Sequence, residues 1–282
     1  MKECRSKIVV SLALGILIGI TGISCGGSSQ GSGRGDQPAA GACFDAGTRD
    51  YSTPGPYNWQ RKRAGNFDVY VPEDTPGGCN RFPLVGFAMG TAVPPGFYTT
   101  YYETLASWGM MTVVDPSNLL NLGGGSLKNA LGAVRKDGNL GGKVSKSGVI
   151  GHSQGGAAVV NVALDRNAGI DALVGLMPAL FQGGGSIGAA GLYIGATLDQ
   201  FSVATDPALA YGKTNGPAFI ADISGATHTV GAVSRGAVAM TTGWLRCHLA
   251  DDSNACGLFR QSKRAGSCAF PGNWAKCEGK NF

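Results

Sequence analysis

The stretch SGVIGHSQGGAAVV, residues 147–160, sets a polar serine, Ser153, between glycines and between two apolar runs. The spacing alone decides little in a chain with 47 glycines. Ser24, near the N-terminus, and Ser29 and Ser186 also have glycine two residues away on both sides. Context separates the four, Ser24 lying between the apolar run of residues 8–20 and Cys25 with no strand–helix turn around it. Ser29 falls in a Gly/Ser-rich linker with no fold to aim it. Ser186 lies in QGGGSIGAAG, a loop with no apolar strand running directly into it. Ser153 follows KSGVI (146–150), which reads as a strand, and opens GGAAVVNVALDRN (155–167), which reads as a helix. Gly151 and Gly155 would allow a tight reversal and a close approach of strand to helix.

Outward from this turn, strand-like and helix-like segments alternate. FDVYVP (67–72), FPLVGFA (82–88), MMTVVD (110–115), DALVGLMP (171–178), GLYIGA (191–196) and PAFIADIS (217–224) read as strands. YYETLASWG (101–109) has helical spacing, SLKNALGAVRKDG (126–138) carries a stripe at Leu127, Leu131 and Val134, and residues 230–250 read as one last long helix. Continuous apolar strands between helices predict a doubly wound α/β domain, with a mostly parallel sheet and helices on both faces. No segment is long enough to form a helical cap domain.

The ends of the chain read differently. Lys2, Arg5 and Lys7 head an apolar stretch, Ile8–Ile20, which suits a signal peptide better than a spanning helix. Residues 1–25 are thus expected to be a targeting segment, 26–40 a linker, and 41–282 a single domain with a cysteine-rich tail. The leader carries +2 of the formal net charge of +5, and the domain has no long basic run. Gln60-Arg-Lys-Arg63, the densest cluster, reads as a solvated loop, and nucleic-acid binding has no support. Beyond Cys4 and Cys25, six cysteines remain, an even number suited to disulfides in an exported chain. Sequence proximity suggests Cys43–Cys79, Cys247–Cys256 and Cys268–Cys277. With three histidines and no close Cys/His cluster, neither a metal nor a cofactor is expected.

A serine hydroxyl needs a base to become a nucleophile. Partners of a strand–serine–helix turn follow in the chain order acid, then histidine. His228, in the loop GATH after PAFIADIS, stands at a strand's carboxyl end, where open α/β sheets bind ligands. His248 lies within the helical WLRCHLA and reads as a packing residue. His152 adjoins the serine too closely to deprotonate it, and is expected to pack against the acid loop or line the cleft. Among the carboxylates, Asp165 and Asp171 fall on the far side of the sheet and Asp222 inside a strand. Asp199, three residues beyond GLYIGA, is the acid that would fix the His228 tautomer. Asp206 is the second choice. For the oxyanion, the expected donors are the backbone N–H groups of Gln154 and of Thr91, with Gly90 letting the loop FAMGTAVPPG (87–96) turn inward.

These segments resemble the bacterial polyester hydrolases, the cutinases and poly(ethylene terephthalate) hydrolases of the α/β-hydrolase superfamily. LASWGMMTVVD, GVIGHSQGG, GLYIGATLDQFSVATD, ISGATH and WLRC carry the resemblance over about residues 85–250. It implies an α/β-hydrolase fold, nucleophile, acid and base at Ser153, Asp199 and His228, and an oxyanion loop at Met89-Gly90-Thr91. Three positions depart from that pattern. Thr91 replaces an aromatic residue, Gln154 replaces Met, and Leu180 or Phe181 stands where those relatives often have Trp. FAMGT is also similar to secreted lipase- and chlorophyllase-like esterases with a Gly-Thr oxyanion loop.

GISC at 22–25 resembles a bacterial lipoprotein signal. Cys25 would then be acylated and attach the protein to a membrane, although Gly22 departs from the usual large aliphatic and leaves simple secretion open. Either route exports the chain. An uncovered, shallow cleft would admit ester or polyester chains, with Phe97, Tyr98 and Phe181 as aromatic candidates for its lining. For Phe97 and Tyr98, packing at a helix start is an equal alternative. The expected protein is a monomeric ester hydrolase acting on polyesters or on short to medium acyl esters. The rival within the same chemistry is a small-molecule carboxylesterase, and the rival outside it a surface lipoprotein that only binds.

Overall fold

Apolar runs bounded by glycine become the central strands. The computed structural model describes residues 50–75, 79–115, 124–179, 184–201 and 205–282. The leader, Cys25, the linker, Leu180 and Phe181 lie outside them. Nine strands among the described residues form one sheet: β1 (Trp59–Ala64), β2 (Phe67–Pro72), β3 (Phe82–Ala88), β4 (Met111–Val114), β5 (Val144–His152), β6 (Ala172–Leu176), β7 (Ala190–Ala196), β8 (Ala218–Ile223) and β9 (Trp274–Lys280). Their order is β1-β2-β4-β3-β5-β6-β7-β8-β9. The strands from β4 through β8 pair in parallel, while β1, β2 and β9 attach antiparallel at the two edges.

Seven α-helices among the described residues accompany them: α1 (Thr99–Ser107), α2 (Gly125–Lys136), α3 (Gln154–Leu164), α4 (Thr205–Lys213), α5 (His228–Ala232), α6 (Arg235–Leu249) and α7 (Ser253–Ala265). The alternation of strand side chains sends neighbours to opposite faces. Val85, Ile150, Val174 and Leu192 meet Tyr101 and Leu105 of α1, Val238 and Trp244 of α6 and Phe259 of α7 on one side. Leu84, Val149, Leu173 and Tyr193 meet the α2 stripe Leu127, Leu131 and Val134, with Val159 and Val162 of α3, on the other. Each fully buried side chain of this size contributes about 1.5–3 kcal/mol. The sheet is therefore covered on both faces, as a doubly wound α/β architecture requires.

Two expectations need correction. Gln60-Arg-Lys-Arg63 is not a loop but the body of the edge strand β1. Arg61 and Arg63 converge on the buried carboxylate of Asp68, at 2.6 and 2.9 Å, and both stay largely exposed. The long helix expected over 230–250 is two helices, because Ser234 caps the second by accepting the Ala237 N–H at 3.2 Å. The cysteine-rich tail is structured: α7 packs on α6, and β9 extends the sheet. Two of the expected disulfides are present there, Cys247–Cys256 with Cα atoms 4.8 Å apart and Cys268–Cys277 with Cα atoms 5.5 Å apart. Cys43 lies outside the described residues. No described helix is long and apolar enough to cross a membrane.

Topology converges the loops of interest. β4 lies on one side of β3 and β5 on the other, so the chain reverses direction across the sheet at β3. Loops leaving the carboxyl ends of β3 and β5 meet at such a switch point, where ligands bind. Those of β7 and β8 follow along the same edge.

Candidate active site

Ser153 forms the corner between β5 and α3 with φ 57° and ψ −122°, a conformation an L-residue rarely adopts. Holding it costs about 1–3 kcal/mol. Three backbone hydrogen bonds offset that cost: the Ser153 N–H donates to the Leu176 carbonyl at 3.0 Å, and its own carbonyl accepts from Ala157 at 3.2 Å and Ala179 at 3.0 Å. Although Ser153 stands at the N-cap of α3, its side chain caps nothing. The two flanking glycines have separate steric reasons. A Cβ on Gly151 would fall 2.0 Å from the Gly155 carbonyl oxygen, and one on Gly155 would fall 2.2 Å from that of Ala88. Strand, helix and the β3 loop therefore approach one another more closely than any side chain allows.

Asp199 and His228 meet from the neighbouring loops. His228 opens α5, and its Nδ1 lies 2.7 Å from Asp199 Oδ2. The other carboxylate oxygen accepts the Phe201 N–H at 2.8 Å. The acid loop is stapled to the base loop by the Leu198 N–H on the Ala226 carbonyl (2.9 Å) and the Gly225 N–H on Thr197 Oγ1 (2.8 Å). Both side chains are nearly buried, 3% exposed for Asp199 and 9% for His228. The carboxylate on Nδ1 selects the tautomer of the neutral ring that has its N–H there and its lone pair on Nε2. Nε2 is buried without a hydrogen-bond partner among the described residues. The Ser153 hydroxyl does not close onto it in this structure. Asp206, in the first turn of α4, is not the carboxylate that His228 engages.

Thr91 and Gln154 come together: the Thr91 hydroxyl donates to the Gln154 side-chain carbonyl. The residues expected to supply the oxyanion donors are thus neighbours, one exposed in the β3 loop and one in the first turn of α3. In that loop the left-handed conformation belongs to Ala92, with φ 58°, while Gly90 serves close packing. A Cβ on Gly90 would fall 2.8 Å from His152 Nδ1.

His152 does not line a cleft. It is 1% exposed, with both ring nitrogens hydrogen-bonded within the protein. Burial, followed by the neighbouring His228, pushes its pKa down to about 4, so the ring is neutral at neutral pH. Tyr98 is fully buried and Phe97 half-buried, their rings 5.2 Å apart, which fits packing at the start of α1 rather than a lining role for Tyr98. His248 packs on Trp244 at 4.2 Å, as a helix-borne packing residue would.

One aromatic residue escaped the sequence reading. Phe201 is 75% exposed with its ring 5.4 Å from that of His228. A large apolar side chain two residues beyond the acid, in a polar loop, was the available signal. Leu198 and Val230 are also mostly exposed and flank the same acid–base pair in sequence.

Described residues hold no cluster of three or more potential metal ligands. A serine at a strained strand–helix corner, a buried imidazole oriented by a carboxylate and the β3 loop against the first turn of α3 make up a site suited to nucleophilic acyl transfer. Compared with models of protein families and with curated proteins, the chain matches none.

Proposed function

We propose that this chain is an exported serine ester hydrolase of the α/β-hydrolase fold that cleaves carboxylic esters through an acyl-enzyme. The observation that carries the reading is the buried His228–Asp199 pair, with a bare Nε2, on the sheet edge where strained Ser153 turns its corner.

In the proposed reaction, His228 Nε2 takes the Ser153 proton as Oγ attacks the ester carbonyl. Asp199 stabilises the imidazolium and holds its tautomer. The oxyanion of the tetrahedral intermediate is met by the N–H groups of Gln154 and Thr91, each donor accounting for about 3 kcal/mol of barrier lowering. Collapse of the intermediate breaks the ester C–O bond, and the proton passes from His228 to the departing alkoxide. Water, activated by the same imidazole, then releases the acid and restores the serine hydroxyl.

Substrates of the proposed enzyme are hydrophobic esters, with polyesters as the favoured class. Exposed Phe201 beside the His228 ring, with exposed Leu198 and Val230 close to the acid and base in sequence, supports an apolar partner surface. The resemblance to cutinases and poly(ethylene terephthalate) hydrolases supports the same choice, with the departures at Thr91 and Gln154 altering the surface that would hold a ring.

Hydrolysis of a chromogenic butyrate ester tests the chemistry. It should vanish in Ser153→Ala and His228→Ala and persist in His248→Ala. An unchanged rate in Ser153→Ala would end the proposal. Soluble products released from aromatic and aliphatic polyester films, set beside a soluble ester series, test the substrate class.

A further inference from the structure

Behind the site, three hydrogen bonds run in series through buried groups. The Gly90 N–H reaches Tyr98 Oη at 3.1 Å, Tyr98 Oη lies 2.7 Å from His152 Nδ1, and His152 Nε2 lies 3.2 Å from the His228 carbonyl oxygen. The direction of each is forced from the ends inward. A main-chain N–H can only donate and a main-chain carbonyl can only accept. His152 therefore holds its proton on Nε2 and gives it to His228. Its Nδ1 then offers a lone pair, so the Tyr98 hydroxyl donates to it. The phenolic oxygen is left to accept from Gly90. Each bond in the series has one possible direction.

The two ends of this series matter. Gly90 precedes Thr91 in the loop that would bind the oxyanion, and the His228 main chain carries the base. His152, in the middle, is bonded directly to Ser153. The His152 and His228 rings also pack face to face at a tilt, with centroids 4.8 Å apart. Neither Tyr98 nor His152 reaches solvent, so water cannot replace a missing member without repacking.

We propose that Tyr98 and His152 are positioning residues that act as one unit, holding the oxyanion loop and the base loop in register around Ser153. This rests on the ester-hydrolase reading above. Neither residue touches the substrate. Their effect is on the orientation of the groups that do, and small misplacements of such groups are costly in rate.

The experiment combines kinetics with imidazole spectroscopy of the full-length protein. Tyr98→Phe and His152→Leu should each lower kcat for a soluble butyrate ester by roughly ten- to a hundredfold with little change in KM. His152→Gln, whose amide N–H can still reach the His228 carbonyl, should recover most of the loss. The Tyr98→Phe, His152→Leu double variant should be no slower than the slower single, because members of one unit are not additive. In long-range proton–nitrogen spectra of the unmodified protein, His152 should carry its proton on Nε2. A proton on Nδ1, wild-type kcat in Tyr98→Phe, or losses that multiply in the double variant would each overturn the proposal. The spectrum needs no turnover, and Ser153→Ala reports on the hydrolase reading by itself, so the two failures are distinguishable. If His152→Leu does not fold, Tyr98→Phe, His152→Gln and the spectrum still decide.

Discussion

Ser153 shows a residue held against its own preference. Its φ of 57° suits glycine, yet only a side chain at that corner can deliver a hydroxyl. Ser153→Gly should therefore raise stability by about 1 kcal/mol while abolishing ester hydrolysis, the trade-off expected where strain serves a site. Urea denaturation together with a butyrate assay measures both. His152 sets a second expectation at this scale. Its folded pKa is depressed to about 4 against an ordinary value of 6.5. Between those values the unfolded chain binds a proton that the folded chain refuses, so stability falls as pH drops from about 6.5 towards 4 and then levels off. The full loss is on the order of 3 kcal/mol for this residue. His248, also pushed down to about 4 by burial, adds in the same direction. Urea midpoints at pH 7 and pH 4.5 should differ accordingly, and the difference should shrink in His152→Gln.

At the scale of elements, the β5–α3 corner and the α2 helix give glycine opposite meanings. Gly155→Ala puts a methyl group 2.2 Å from a backbone oxygen of β3, which cannot move aside, so this variant should lose several kcal/mol of stability and all activity. Gly132, inside α2, has open space where a Cβ would go. Gly132→Ala should therefore raise stability by about 0.5–1 kcal/mol, and thermal melts of the pair would show the divergence. The same scale explains what could be read in advance. FDVYVP matched β2 through its alternation, and FPLVGFA matched β3 because a buried parallel strand is a continuous apolar run. β1 and β9 were illegible, since an edge strand buries one side only and their sequences, WQRKRA and WAKCEGK, are mostly polar. Helix α7 buries just Ala255, Phe259 and Ser262, too thin a stripe to stand out. The break at Ser234 did have a signal, a capping serine inside an apolar stretch. Asp199 could be chosen by its place at a strand end. The series from Gly90 to His228 could not, because it joins groups whose proximity exists only after folding.

For the molecule as a whole, the C-terminal region is held by covalent help as well as by packing. Cys247–Cys256 ties α6 to α7, and Cys268–Cys277 ties the segment after α7 to β9. Closing loops of this size removes about 2–3 kcal/mol of unfolded-state entropy per bridge in the loop-closure account. Reduction should lower the melting temperature measurably, and hydrogen exchange should show β9 opening before the central strands. The edges carry a further consequence. β1 presents Arg61, Lys62 and Arg63, the two arginines paired to one carboxylate, Asp68, and β9 presents Lys276 and Lys280 with Glu278 between them, so both open borders of the sheet carry a net positive charge. Two molecules brought side by side therefore repel along the very lines where strands would otherwise zip together. Resistance to edge-to-edge fibril growth is thus written into the flanks of the molecule, at the two ends of the sheet.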